Sequence, residues 1–191
     1  MVGAQPSMSD PIVTPPYTGS LLLASPAMRD PNFSRTVIFM AAHSMQDGAF
    51  GYVLNRPLDQ RVADLLPDQE LGGLGEVPVF VGGPVATDKL AFASLNWNRQ
   101  ESTLRCQTHL SVADALLELS LGHDVRGFVG YTGWTEGQLE KEIKQRSWII
   151  TTARKTILTT QQPKALWTNI LEEMGPVYQV IAHIPEKVEL N

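Results

Sequence analysis

Polar residues able to bind or react gather at corners of this sequence, each set against an apolar run. Asn32-Phe33-Ser34-Arg35 leads into TVIFMAA, and Asn55-Arg56-Pro57 closes GAFGYVL. Gly82-Gly83-Pro84 closes VPVFV, and Gly133-Trp134, with Gln138-Leu139-Glu140, follows VRGFVGYTG. Polar groups and glycines at strand ends are what a rigid scaffold uses to present a site. The chemistry they offer is binding. Ser34 beside Arg35 pairs a hydroxyl with a guanidinium, which suits an anion or a turn cap. Arg56 has two readings: a planar fork for a carboxylate or phosphate, or a buried salt bridge to an acid such as Asp64 or Glu140. Gly82 and Gly83 follow a strand as phosphate loops do, yet no Gly-Lys-Ser/Thr follows and Pro84 removes an N–H. They make either a close backbone turn or a ligand-lining loop. Trp134 either packs a helix start onto a sheet or walls a pocket beside that helix's first N–H groups, with Gln138 close by.

Reacting groups are sparse. There is no GxSxG elbow for a nucleophilic serine. His43, His109, His123 and His183 fall in different segments without HxH, HxxxH or HExxH spacing, so no metal site is expected. No cofactor loop is present either. Cys106 is the single cysteine, which excludes an intramolecular disulfide and a CxxC pair. It reads as a small strand residue, or as a reactive thiol should Arg105 or His109 lower its pKa. These residues lead to a non-enzymatic binding or regulatory protein, with Ser34, Arg35, Asn55, Arg56, Gly82, Gly83, Trp134 and Gln138 as ligand-binding candidates. Its expected partner is a small anionic ligand or another protein. The alternative is a hydrolase or transferase that borrows Arg56, Ser34 and Glu140, which requires a carboxylate facing the arginine in a cleft.

Charge narrows the partners. The net charge of −5 repels phosphate backbones, so no specific nucleic-acid partner is expected. Lys141, Lys144 and Arg146 alternate with Glu140 and Glu142, as on a solvated helix face. No segment approaches 18 uninterrupted apolar residues, and the N-terminus has neither a basic nor an apolar signal region; a cytoplasmic protein without a membrane partner is expected. The oligomeric state is not legible.

The elements that would hold the corners can be traced along the chain. Residues 1–17 hold four prolines and read as a flexible leader, with a single domain over 18–191. Apolar runs predict strands at 20–25, 36–42 and 50–54, the last two as a hairpin across Gln46–Gly48. A short helix is expected over 61–66, a glycine loop at 72–75, and strands at 77–81, 91–95, 104–108, 125–131 and 148–152. Ser111 caps a helix whose inner stripe is Val112, Ala115, Leu116 and Leu119. Thr135 and Gln138 form a capping box for a helix with Leu139 and Ile143 inward. Pro163 starts a last helix with Leu166, Trp167, Ile170, Leu171 and Met174 inward, and Val177–Ile184 reads as a closing strand. Many short strands without regular βα alternation favour α+β.

In order and spacing, GSLLLASPAMRDPNFSRTVIFMAAH, GAFGYVLNRP, VFVGGPV and GYTGWTEGQLEKEI followed by SWI resemble the bacterial YqgE/AlgH family. The likeness runs from about Gly19 to His183. It implies a mixed, partly closed, barrel-like sheet of short strands surrounded by about three helices, in the cytoplasm of a bacterium. It transfers no catalytic residue. Members carry a transcriptional-regulator label, but no two adjacent helices with a basic recognition face are read here. The proline-rich leader and Ala42-His43, where polar residues commonly precede the hairpin turn, depart from the family pattern.

Overall fold

Alternation at the start of the chain decides how the molecule is layered. The first strand, β1 (Ser20–Ala24), is buried along its whole length. Its side chains divide by the strand period: Leu21 and Leu23 enter one apolar cluster, Leu22 and Ala24 another on the opposite face. β1 is therefore an interior strand of a sheet covered on both sides. The computed structural model describes residues 16–184, so all but Pro16 and Tyr17 of the expected leader lies outside the described residues.

β2 (Val37–Ser44) and β3 (Gly48–Val53) form the expected antiparallel hairpin. β4 (Pro57–Arg61), the short α1 (Val62–Leu65) and a 3-10 turn at Gly72–Glu76 precede β5 (Pro78–Val81). The glycine loop at 72–75 is thus a 3-10 turn. β6 (Val85–Asn98) and β7 (Thr103–Leu110) are both longer than the apolar runs that announce them. α2 (Val112–Ser120), β8 (Asp124–Trp134), α3 (Gln138–Lys144), β9 (Trp148–Thr152) and α4 (Thr156–Thr159) follow, then α5 (Leu166–Glu173) and α6 (Pro176–Ala182).

The strands join in the order β4-β5-β8-β3-β2-β1-β9, with β6 paired to both β8 and β7. All pairs are antiparallel except β5 with β8. This corrects the expected fold class: the molecule is α+β with a mixed sheet, but the sheet is not closed into a barrel. Closure needs the end strands to hydrogen-bond each other. Here β9 pairs with β1 and β4 with β5, and the sheet ends at both. β4 begins with Pro57 and its register slips between Pro57 and Arg61, which makes it a poor template for another strand. The helical cover also differs from the expected three, with six short α-helices among the described residues.

β8 is the axis. Its Val79-, Phe80- and Val81-facing stretch, Gly127–Val129, and its Thr132–Trp134 stretch, which faces β3, lie end to end along one edge, while β6 runs along the other. The link from β5 to β6 therefore passes over β8. Gly82 accepts from the Val53 N–H and donates to the Val129 carbonyl, and by Val85 the chain is paired with Tyr131. A Cβ on Gly83 would fall 2.2 Å from the Tyr131 carbonyl, and one on Gly130, at φ +71°, 2.4 Å from the Gly83 carbonyl. Backbone crosses backbone here, and neither side has room for a side chain.

Two further sequence expectations change. The expected strand Val177–Ile184 is helix as far as Ala182: Pro176 occupies its first turn, and Tyr178, Ile181 and Ala182 pack inward at helical spacing while Val177 and Val180 face solvent. In α2, capped by Ser111 as expected, Ala115 and Glu118 are buried while Val112 and Leu116 are exposed. The inner face of α2 is turned by a polar contact, Glu118 on His123 at 2.8 Å, that apolar periodicity does not record.

Candidate functional site

Three of the four corners meet. Arg35 has φ +52°, in the left-handed region, and this twist feeds the chain into β2. Buried Asn55 bridges the entry: its Oδ1 accepts from the Val37 N–H at 2.9 Å and its Nδ2 donates to the Arg35 carbonyl at 2.8 Å. The Arg56 guanidinium donates to the carbonyls of Pro31 at 2.8 Å and Ser34 at 3.3 Å. The Arg56 carbonyl accepts from the Val81 N–H at 2.9 Å, which brings Gly82 alongside. Arg35 in turn donates to the Ile184 carbonyl and lies 5.3 Å from the centre of the Trp167 ring. Ser34, Arg35, Asn55, Arg56, Gly82 and Gly83 thus form a clamp that fixes the 31–36 loop, the β3–β4 corner and the chain crossing to one another.

The fourth corner is elsewhere. Trp134 pairs with Ala49 at the far end of β3, six residues before Asn55, or roughly 20 Å at strand rise. Trp134 is buried, and its indole N–H donates to Glu142 Oε2 at 2.9 Å. Trp148 donates to the same oxygen at 2.8 Å, with the two rings edge to face at 6.0 Å. Gln138 donates to Glu142 Oε1 at 2.9 Å and accepts from the Thr135 N–H at 3.1 Å, completing the reciprocal half of its capping box. Glu142 organises this corner, although the alternation of charges around it reads in sequence as a solvated face. The signal was available: it lies four residues after Gln138, on the same helix face.

A groove of about 770 Å³ opens at this end. Its walls carry the rings of Phe50, His109, Tyr131 and Trp134 with Val85, and its rim carries Thr18, Ser44, Asp47 and Thr135. Gly48 (φ +90°) sits so close under the Trp134 carbonyl that a Cβ would fall 2.2 Å from it, which keeps the floor low. The positive φ of His109, +56°, turns its ring onto Phe50 at 5.6 Å. Phe50, His109 and Tyr131 were not singled out as site residues, because each reads as an ordinary strand position until three strands are brought together.

The DUF179, AlgH-like family model matches residues 21–179. The chain belongs to the AlgH-like family. Among AlgH-like relatives, a UPF0301 protein of Streptomyces avermitilis is 34% identical over 187 residues, covering 91% of this chain and 95% of that one. A UPF0301 protein of Cytophaga hutchinsonii is 30% identical over 188 residues, covering 91% and 98%. The solution structure of AlgH from Pseudomonas aeruginosa superposes with a TM-score of 0.64 at 27% identity, covering 91% of this chain and 97% of that one. A crystal structure from Corynebacterium diphtheriae shares the fold at TM-score 0.64 and 19% identity, over 90% and 94%.

The titratable groups of this AlgH-like chain are held in pairs. His43 is buried on the groove wall; its Nδ1 accepts from the Tyr17 N–H at 3.1 Å, which leaves Nε2–H to donate to Glu140 at 2.6 Å. His123 repeats the pattern, with Asn96 on Nε2 at 2.9 Å and Glu118 on Nδ1 at 2.8 Å. Hydrogen bonds from His123 and Ser94 hold the Glu118 carboxyl below its usual range. Glu140 therefore belongs to His43 at the groove end, while Arg56 lies at the other end of β3; Asp64 accepts from the Arg61 N–H at 2.7 Å. Burial pushes the Cys106 thiol up to about 12 against the pull of Arg126, so little thiolate forms at neutral pH. Among the described residues no three His, Cys, Asp or Glu side chains converge as a metal set, and no helix is long and apolar enough to cross a membrane.

Proposed function

We propose that this AlgH-like protein is a non-enzymatic, cytoplasmic binding protein whose occupant, a small ligand or a segment of a partner protein, enters the groove at the Trp134 end of the sheet. The observation that carries this reading is the groove itself: partly exposed rings contributed by β3, β7 and β8 beside a polar rim, in a volume of about 770 Å³ that falls within the range of small-molecule sites. The arginine corner supports a different role. Its guanidiniums already hold main-chain carbonyls, so an anion there would compete with contacts that fix the loop. The non-enzymatic part draws on His43 and His123, whose ring nitrogens are both engaged by fixed partners and so unavailable for proton transfer to a bound molecule.

The test is a fragment screen followed by amide chemical-shift mapping on the full chain. Hits should shift residues 42–50 and 131–135. Val85→Trp, a substitution at an exposed position of the wall, should abolish those shifts and leave the melting temperature unchanged. Hits that map to residues 31–35 and 55–57 instead would return the site to the arginine corner.

A further inference from the structure

The groove has a definite electrostatic sign. Among the described residues that line it, Asp47 is the only one of full charge, and none is a lysine or arginine. The Asp47 carboxylate is anchored by the Ser44 hydroxyl at 2.9 Å, which sets it on the rim. Behind the wall stands Glu140, and its partner His43 does not neutralise it. A ring nitrogen that accepts the Tyr17 N–H carries no proton, so the hydrogen-bond pattern assigns a neutral imidazole donating to a charged carboxylate. The groove is thus bordered by one carboxylate and backed by a second.

The aromatic lining has the same preference. Phe50 and Tyr131 meet at 89° with centroids 6.3 Å apart, and Phe50 and His109 at 55° and 5.6 Å. Rings at such angles form a corner instead of a stack. The faces of aromatic rings are the negative part of their quadrupole, and a soft cation seated against them is attracted without a full desolvation penalty. An anion meets repulsion from both the carboxylates and the ring faces.

Given that the groove is the binding site, we propose that it selects a small organic cation, an alkylated ammonium with apolar bulk, over neutral or anionic molecules of the same shape. The cationic head sits in the corner of Phe50, His109 and Tyr131 with Asp47 as counter-ion, and the apolar part lies along Val85 and Trp134. The small-molecule source follows from the volume, about 770 Å³, which suits one ligand of moderate size. This reverses the sign of the ligand that the arginines alone suggest.

The experiment uses three soluble probes of nearly one shape: choline, its carbon isostere 3,3-dimethylbutan-1-ol, and 3,3-dimethylbutanoate. Each is titrated into the labelled full chain at pH 8, where unperturbed imidazoles are neutral. Choline should shift residues 42–50 and 131–135 with an affinity about 10-fold above the alcohol, the order expected of a partly desolvated cation–π contact. Asp47→Asn, on the exposed rim, should erase most of that preference while leaving the alcohol unaffected; Phe50→Leu should weaken choline more than the alcohol. If the alcohol or the butanoate matches or exceeds choline at the same residues, the groove stands as the site and the cation inference falls. If no probe moves these residues at tens of millimolar, the groove reading falls with it.

Discussion

Arg56 and Arg126 illustrate how differently two arginines can be used. Arg56 holds two main-chain carbonyls at a half-buried corner. Arg126 is buried; it donates through Nε at 3.0 Å and Nη2 at 2.7 Å to one oxygen of Asp124, reaches the Ile157 carbonyl at 3.0 Å, and covers Phe80 at 5.0 Å. A buried ion pair stands at Arg126. Removing Arg126 strands a partly buried carboxylate, and Arg126→Ala should cost about 3–5 kcal/mol. Arg56→Ala removes charge-assisted bonds from carbonyls that water can reach, and should cost about 1.5–3 kcal/mol. At ~2–4 °C per kcal/mol for a chain of this size, thermal melts should rank the two variants in that order. Equal melts would mean that the Arg56 clamp is as critical as the ion pair. Cys106 gives a second check. With its folded pKa raised from 9.0 to about 12, stability is intact below 9 and declines as pH climbs from 9 toward 12, because only the unfolded chain ionises. Thiol labelling at pH 8 should run roughly 1000-fold slower in the native protein than in denaturant. Labelling at comparable rates would show an accessible thiolate.

The β5–β6 link shows what a glycine pair means in context. Gly82-Gly83 reads as a close backbone turn or a ligand-lining loop until β8 is laid beneath it, because Gly130, the other half of the crossing, lies far along the chain. Gly130→Ala adds a Cβ 2.4 Å from the Gly83 carbonyl and 2.8 Å from that of Val85, at a left-handed φ; it should cost about 3–5 kcal/mol. Gly122→Ala shares the positive φ, +77°, but its Cβ meets nothing within 4 Å and should cost about 1–2 kcal/mol. Urea midpoints for the two variants check the contrast; equal midpoints would mean the crossing relaxes freely. Elements with strong local signals are legible: β1, the β2–β3 hairpin and the Ser111 cap form, while of the Thr135–Gln138 box only the Gln138 half does, with Gly137 as the residue before the helix. Val177–Ile184 resembles a strand in sequence because exposed Val177 and Val180 blur the inward stripe of Tyr178, Ile181 and Ala182, and β-branched residues outweigh the Gly175-Pro176 start. The groove was illegible because its rings lie on β3, β7 and β8 and gather only through pairing.

Taken as one body, the protein carries a net charge of −5, and several of its basic residues are held by carboxylates. Arg105 pairs with Glu101, Arg154 with Glu173, and Lys164 with Asp59. Without a basic stripe there is no counterion release to drive association with duplex DNA. Fluorescence anisotropy with a labelled duplex at 100 mM salt should show no binding below about 10 µM; sub-micromolar, strongly salt-dependent binding would overturn this.

The single strand shared by both halves of the sheet has a consequence for the nascent chain. β3, β5 and β6 all await β8, and the link between β5 and β6 is shaped to lie across it. Until Asp124–Trp134 has left the ribosome, the β1–β2–β3, β4–β5 and β6–β7 groups can pair within themselves, but β3, β5 and β6 each keep the edge that β8 will occupy open. The sheet is therefore completed late, when one segment arrives to join three groups of strands made before it.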